Sequence, residues 1–313
     1  MAGNTKLLFS CSKEHPTLPR RELERNLSLE LEELAPGWYV GEGKLPPSIE
    51  HFGYTKAVYE IIAKSAAEDY KEFASVIQDN YKLELWQEKN QFSGTVAFAD
   101  TIHPHCQDKK VNLENPRHTY LFFFKNNNVF FCRLFLRQED KAHLRRAHQR
   151  KHLHPTSLDP RLAKAMIALS GCRAFHDPFC GVGGIVLEGL RLEYEASGSD
   201  IAQHLVAQAK ENALHEHLPP AFFIADATQL NHPSAAYISD LPFGKNSLLL
   251  QSKEELYSVF FSQVKKNTQL LVLGSDLPLQ EIAEKQGWIC EEEHEVYVHK
   301  SLTRKIAVYS SKR

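Results

Sequence analysis

Two short stretches carry the residue types best suited to chemistry. The first is Asp177-Pro178-Phe179-Cys180-Gly181-Val182-Gly183-Gly184, which follows a strand-like apolar run and opens a helix-like one. Glycines at such a place let the backbone approach a ligand closely, and a helix start offers unpaired N–H groups. A G-x-G triplet alone also fits an ordinary tight turn. The position three after Gly183 is Val186, so the dinucleotide fingerprint G-x-G-x-x-G is incomplete. Acidic residues then recur at successive strand ends. Asp200, beside Ile201, closes the next strand, where a carboxylate can accept hydrogen bonds from both hydroxyls of a ribose. Asp226, beside Ala227, closes the third, a position suited to the edge of an adenine ring. Each acid by itself could be a helix cap. Three of them at consecutive strand ends, with the glycines, point to an adenosine-like ligand at the carboxyl edge of an open α/β sheet.

The second stretch, Asp240-Leu241-Pro242-Phe243-Gly244-Lys245, closes the fourth strand. An exocyclic amine on a nucleobase is a poor nucleophile, because its lone pair is delocalised into the ring. Two acceptors on the amine hydrogens, here the Asp240 carboxylate and the Leu241 carbonyl, can hold that nitrogen with its lone pair aimed at an electrophile. Pro242 stiffens the turn that presents the carbonyl, and Phe243 offers a face on which an extruded base can stack, worth about 1–3 kcal/mol. The alternative is a β-turn with a buried Phe. The stretch is similar to the [Asn/Asp]-Pro-Pro-[Tyr/Phe] motif of amino methyltransferases that use S-adenosylmethionine.

Charge adds a third feature. The whole chain of 313 residues has a net charge of −2, yet residues 109–151 hold 11 basic side chains against three acidic ones. Such a stripe suits a phosphate backbone, with Arg145, Arg146, Arg150, Lys151 and Lys245 as the candidate contacts; a solvated face beside a linker is the bland alternative. The six cysteines include no C-x-x-C pair, which favours free thiols in a reducing compartment over a zinc site. No apolar run approaches the ~20 residues of a membrane span, and the first ten residues lack a signal-peptide pattern. A cytoplasmic protein without membrane attachment is expected.

The elements that position these residues change character along the chain. The first half mixes short elements. Pro16 to Leu34 spaces Leu23, Leu27, Leu31 and Leu34 as one amphipathic helix does, and Tyr54 to Ser65 and Asp69 to Gln78 also suggest helices. Tyr81–Gln87, Val111–Leu113, Thr119–Phe124 and Val129–Leu136 have strand character, with Asn126-Asn127-Asn128 as a turn. Lys141 to His154, with four His and five Arg/Lys, has the composition of a linker. Beyond it strands and helices alternate, which implies a mostly parallel sheet covered on both faces, closed by an antiparallel pair over Trp288–Val298 and Arg304–Tyr309.

Further stretches sharpen the likeness. His154-Pro155-Thr156-Ser157-Leu158-Asp159-Pro160-Arg161-Leu162-Ala163 resembles the segment before the catalytic core of THUMP-domain tRNA guanine-N2 methyltransferases, with Asp159 placed to cap a helix and Pro160 at its first position. Val111-Asn112-Leu113-Glu114-Asn115-Pro116 resembles a strand motif near the end of a THUMP domain. Val298-His299-Lys300-Ser301-Leu302-Thr303-Arg304 resembles the hairpin joining the last two strands in the enzymes acting at tRNA position 10.

The resemblance implies a Rossmann-like class I methyltransferase domain over 156–313, with a mostly parallel seven-stranded sheet and a C-terminal antiparallel pair. A smaller α+β region would precede it, ferredoxin-like over 1–60 and THUMP-like and RNA-binding over 61–138, joined by a basic linker over 139–155. It implies S-adenosylmethionine as cofactor, held by Asp177, Pro178, Cys180, Gly181, Gly183, Asp200, Ile201, Asp226, Ala227 and Asp240. Asp240, Leu241, Pro242 and Phe243 would hold the base. The expected reaction is methylation of N2 of a guanine in tRNA, at position 10 in the closest group, once or twice, by a monomer or with a small activating subunit. Guanine 6, other RNA or DNA amines, and a non-catalytic RNA-binding scaffold are the alternatives.

Overall fold

The computed structural model describes residues 4–145, 149–153, 157–242, 252–299 and 302–311. The elements are β1 (Thr5–Cys11), α1 (Leu18–Leu27), β2 (Glu32–Ala35), β3 (Trp38–Gly43), β4 (Thr55–Ala66), β5 (Tyr81–Gln87), α2 (Thr95–Ile102), β6 (His118–Lys125) and β7 (Asn128–Arg137). Then come α3 (Pro160–Ser170), β8 (Ala174–Asp177), α4 (Gly184–Arg191), β9 (Glu195–Asp200), α5 (Gln203–His215), β10 (Phe222–Ile224), β11 (Ala236–Asp240), α6 (Lys253–Val264), β12 (Leu270–Ser275), α7 (Gln280–Lys285), β13 (Trp288–His299) and β14 (Leu302–Ser311). They form two compact units, one of residues 1–16, 27–49 and 55–139, the other of 17–26, 50–54 and 140–313.

The first unit is built on one seven-stranded sheet in the order β2-β3-β1-β4-β7-β6-β5. Period-2 patterning explains why β6 sits inside it. Tyr120, Phe122 and Phe124 join one apolar core with Tyr70, Phe73, Phe98 and Phe131. Leu121 and Phe123 join another with Leu8, Tyr59 and Cys132. The turn expected at 126–128 is present, with Asn126 and Asn127 at φ 49° and 58° joining β6 to β7.

Several expectations fail in this unit. Tyr54–Ser65 is not a helix: it forms most of β4, whose Ala57 and Tyr59 alternate into a core while the strand pairs with both β1 and β7. The expected boundary at 60/61 falls inside that strand, so one sheet runs through both of the expected subdomains. Residues 67–75 make 3₁₀ turns instead of an α-helix. Val111 contributes a single bridge to Tyr81, with no strand over 111–113. The helix expected over Pro16–Leu34 stops at Leu27, where Ser28 takes φ 52°, and the chain resumes as β2. Leucines at helical spacing on both sides of that break belong to two different units.

The second unit has the strand order β10-β9-β8-β11-β12-β14-β13, with β14 antiparallel to both of its neighbours, β12 and β13, and the remaining pairs parallel. Order reverses between β8 and β11, which places a ligand crevice at their carboxyl ends. One face of the sheet packs on α3, α4 and α5 through Met166, Ile185, Val186, Val206 and Ala209. The other packs on α6 and α7 through Tyr257, Phe260, Phe261, Ala283 and Trp288. Asp159 accepts from the Arg161 N–H at 2.9 Å and caps α3, with Pro160 opening the helix.

This unit does not begin at 156. It includes residues 140–153 and takes α1 from the N-terminal part of the chain. The fully buried Glu22 accepts from the Gly53 and Tyr54 N–H groups at 2.9 and 3.0 Å, and Asn26 donates to the Ala168 carbonyl at 2.7 Å. Arg21 reaches Glu292 at 2.6 Å. The expected linker is thus part of a folded unit.

Candidate active site

The cofactor half of the crevice is built at the ends of β8, β9 and β10. Past Asp177 the chain turns through Gly181 (φ 52°) and Gly183 (φ 92°) into α4. A methyl group on Gly183 would lie 2.8 Å from the Phe222 ring, so both conformation and space require glycine there. At Gly181 a methyl group would meet nothing within 4 Å, which leaves open space above the loop. Asp200 holds the loop to the next strand: its Oδ2 accepts the Gly181 N–H at 3.0 Å and its Oδ1 the Ala202 N–H at 2.9 Å. Each oxygen keeps a second lone pair for a ligand hydroxyl.

Asp226 Oδ1 accepts both the N–H and the hydroxyl of Thr228, at 2.8 and 2.7 Å. Ile201 and Ile224 flank this edge, 64% and 55% exposed, as apolar surfaces without a core to bury them. Sequence reasoning included Ile201 and missed Ile224, whose position at the end of an apolar strand resembles any core residue. Pro178 is buried in the loop. The side chains of Cys180 and Ala227 point into the cores, which leaves only their backbone for a ligand. Burial pushes the Cys180 thiol well above its ordinary range, so it is no nucleophile.

Asp177 is buried and accepts from Ser239 Oγ at 2.6 Å and from the Phe179 N–H at 3.1 Å. Burial raises its pKa to about 7, against the opposing hydrogen bonds, with Asp200 and Asp240 adding repulsion.

The acceptor half is built on β11, β12 and β14. Asp240 lies opposite Gly274, and a methyl group there would come within 2.4 Å of Asp240 Oδ1. Glycine at 274 therefore makes room for this carboxylate. Arg304 from β14 donates to Asp240 Oδ2 at 2.9 Å. Among the described residues Oδ1 has no hydrogen-bond partner. Burial raises the Asp240 pKa to about 7, with Arg304 pulling the other way. The turn beyond is pinned: the Leu241 N–H donates to Gly274 O at 2.8 Å, its side chain is buried, and Tyr257 Oη donates to the Pro242 carbonyl at 3.0 Å. Sequence reasoning missed Arg304 and Ser239, which lie 64 and one residues from Asp240 and reach the acids only through the folded sheet.

The candidate phosphate contacts do not form one surface. Arg145 chelates Asp140 and also meets Glu188 at 3.0 Å. The Arg150 side chain is about 2% exposed and lies 3.6 Å from the same Glu188. Both belong to an internal ion cluster, which corrects their expected placement on a nucleic-acid face. Lys151 is exposed and pairs with Glu211 at 2.8 Å. Phe243, Lys245 and Arg146 lie outside the described residues, as does the His154-Pro155-Thr156 segment.

A reversed strand order closed by an antiparallel pair, a glycine turn after the first strand and acids at the following strand ends define a class I methyltransferase. The family described as RMKL-like, methyltransferase domain, matches residues 147–306, and the chain belongs to it. Over 97% of its length the chain is 28% identical to the tRNA (guanine(10)-N2)-dimethyltransferase of Methanothermobacter thermautotrophicus, covering 98% of that protein. The enzyme of the same name from Pyrococcus abyssi is 26% identical over 64% of each chain. Among solved structures, TrmN from Thermus thermophilus aligns over 98% of this chain and 100% of its own, at TM-score 0.57 and 16% identity. A possible methylase from Clostridium difficile 630 aligns over 99% of each at 0.53 and 16% identity.

Proposed function

We propose that this methyltransferase transfers a methyl group from S-adenosylmethionine to the exocyclic N2 amine of a guanine in tRNA, at position 10. The observation that carries the reading is Asp240: a carboxylate at the switch point, one oxygen fixed by Arg304 and the other without a hydrogen-bond partner among the described residues. The name of a relative that aligns with nearly the whole chain supplies the substrate.

The crevice residues fit the cofactor. Asp200 faces the ribose, Ile201 and Ile224 give apolar faces for the adenine, Asp226 and the Ala227 backbone meet its edge, and the space above Gly181 takes the amino-acid tail. Asp177 meets that tail at its ammonium end, directly or through water. The bound cofactor supplies an electrophilic methyl on a sulfonium. Asp240 Oδ1 and the Leu241 carbonyl accept the two amine hydrogens and turn the nitrogen lone pair toward that methyl. Phe243 stacks on the base. Positioning two reactants in line is the main catalytic contribution, and the surplus N2 proton leaves to Asp240 or to solvent after transfer.

The first unit, with its own basic residues between 109 and 137, grips the tRNA; its THUMP-like character belongs to this reading. Methyl transfer to unmodified tRNA transcripts tests it, with and without a guanine-to-adenine change at position 10, with nucleosides identified by mass. N2-methylguanosine or N2,N2-dimethylguanosine that disappears with the change is expected. Methylation that survives the change moves the target, with guanine 6 next. Cofactor binding without transfer implies an activating subunit.

A further inference from the structure

A second carboxylate stands near Asp240 and takes no part in the transfer proposed above. β11 and β12 are parallel, with Asp240 opposite Gly274, so both strands end at the same edge of the sheet. β12 closes at Ser275, and Asp276 is the next residue. Its surroundings repeat those of Asp240. One oxygen, Oδ2, is held by a cation: Lys253, the first residue of α6, donates to it at 2.9 Å. The other, Oδ1, has no hydrogen-bond partner among the described residues, although solvent does not reach it. The side chain as a whole is 25% exposed, so the acid lies at the open end of the strands and not in a core.

Both acids act on one turn. Asp276 is near enough to Asp240 to add repulsion that raises its pKa. The Tyr257 hydroxyl, which donates to the Pro242 carbonyl at 3.0 Å, feels the charge of both. The Leu241 N–H is tied to Gly274, two residues before Asp276. The turn after β11 thus has one half-free carboxylate at its start and another beside it. Two like charges so placed are costly unless donors answer them.

The nucleobases differ at the atom next to the amine. In adenine and cytosine the ring nitrogen beside the exocyclic amine is an acceptor. In guanine N1 carries a hydrogen, so N1–H and the two N2 hydrogens form a row of three donors on the edge by which an extruded base is read. Asp240 Oδ1 and the Leu241 carbonyl take the two N2 hydrogens. One donor of the base and one acceptor of the site are left over.

We propose that Asp276 accepts the N1–H of the target guanine and selects guanine over adenine and cytosine, a role that rests on the acceptor reading above. Lys253 holds the carboxylate from behind, and Oδ1 meets the base. Adenine or cytosine in the same place would set a ring-nitrogen lone pair against a carboxylate. A site built to bond an N–H rejects an analogue that lacks it far more strongly than a misfit in shape would.

The test replaces guanosine at position 10 of the tRNA by 2-aminopurine riboside, which keeps the 2-amine but has a lone pair in place of the N1 hydrogen. Single-turnover transfer by the full chain is measured on both tRNAs. The unaltered protein should methylate the 2-aminopurine tRNA about tenfold or more slowly than the guanosine tRNA. Asp276→Asn can donate to that lone pair, so transfer to guanosine should fall while transfer to 2-aminopurine holds or rises, and the preference should shrink about tenfold or more. Asp276→Ala offers neither donor nor acceptor and should shrink the preference by lowering guanosine transfer alone. S-adenosylhomocysteine affinity should be unchanged in both variants. Equal transfer to the two tRNAs by the unaltered protein would overturn the role of Asp276 and leave N2 methylation standing, and this comparison holds even where a variant does not fold. A preference unchanged in both variants, whatever the absolute loss, would place the discrimination at the missing O6 or make Asp276 structural, and would overturn it too. Failure of the unaltered protein to methylate guanosine at position 10 would remove the acceptor reading, and the role of Asp276 with it.

Discussion

The two halves of the crevice are assembled differently. In the cofactor half Asp200 and Asp226 work through turns at adjacent strand ends, while Asp177 also reaches Ser239 across the sheet. Asp200 holds the glycine turn and the residue two beyond itself, and Asp226 holds Thr228. In the acceptor half, Asp240 depends on Gly274 for room and on Arg304 for charge, both distant in sequence. The first arrangement is a set of local turns at strand ends. The second exists only when β11, β12 and β14 are in register. Changes in the first half should therefore weaken the ligand held there and leave the acceptor geometry intact, and the reverse should hold for the second.

The sharpest break is expected at Asp240. Asp240→Ala should lower turnover about 10²–10³-fold, the scale for removing one group aimed at the reacting centre, with S-adenosylhomocysteine affinity within a few-fold. Parallel loss of both in stopped-flow and calorimetric measurements would merge the two halves into one. Next in size is Gly183→Ala, which sets a methyl 2.8 Å from Phe222 at a positive φ. It should weaken S-adenosylhomocysteine about tenfold or more and lower the melting temperature, since strain of about 1–3 kcal/mol is introduced. Unchanged affinity would mean that the turn does not shape the site.

Titration sharpens the comparison further. Asp240 must be ionised to accept both an amine hydrogen and the Arg304 donor, and its pKa is raised to about 7. Activity at saturating substrate should then be full above pH 7 and fall as pH drops through it, about tenfold per unit. Arg304 lowers that pKa, so Arg304→Met should move the inflection upward, with a several-fold loss at pH 7 that recovers in alkali. A loss independent of pH would assign Arg304 to packing alone. The smallest effect belongs to the surface: an exposed pair such as Lys151–Glu211 stabilises by about 0–1 kcal/mol. Lys151→Ala should leave stability unchanged, and if Lys151 meets phosphate it should weaken tRNA binding a few-fold and reduce the salt slope by about 1.

The same division governs what the amino-acid sequence reveals. The glycine turn, Asp200 and Asp226 are legible because strand, turn and acid are contiguous. So is Asp240 with its Pro242 turn. Arg304 and Gly274 are not, because nothing in a linear pattern pairs them with position 240. β4 has enough Ala, Lys and Glu to pass for a helix, and only its pairing with β1 and β7 makes it a strand. α1 carries a continuous leucine rhythm past its end, although the buried Leu31 belongs to a different compact unit from Leu18 and Leu23. The basic run misleads for a related reason: charge is visible in sequence and burial is not, so Arg145 and Arg150 resemble surface contacts until Asp140 and Glu188 are found beside them.

The central claim is that the acceptor half takes the N2 amine of one guanine. Inosine differs from guanosine by the absence of that amine alone. Single-turnover methylation of tRNA carrying guanosine or inosine at position 10, with binding of each measured in parallel, tests the claim at one functional group. The account predicts equal binding within a few-fold and transfer to the guanosine tRNA only. Methylation of the inosine tRNA at an undiminished rate would contradict it.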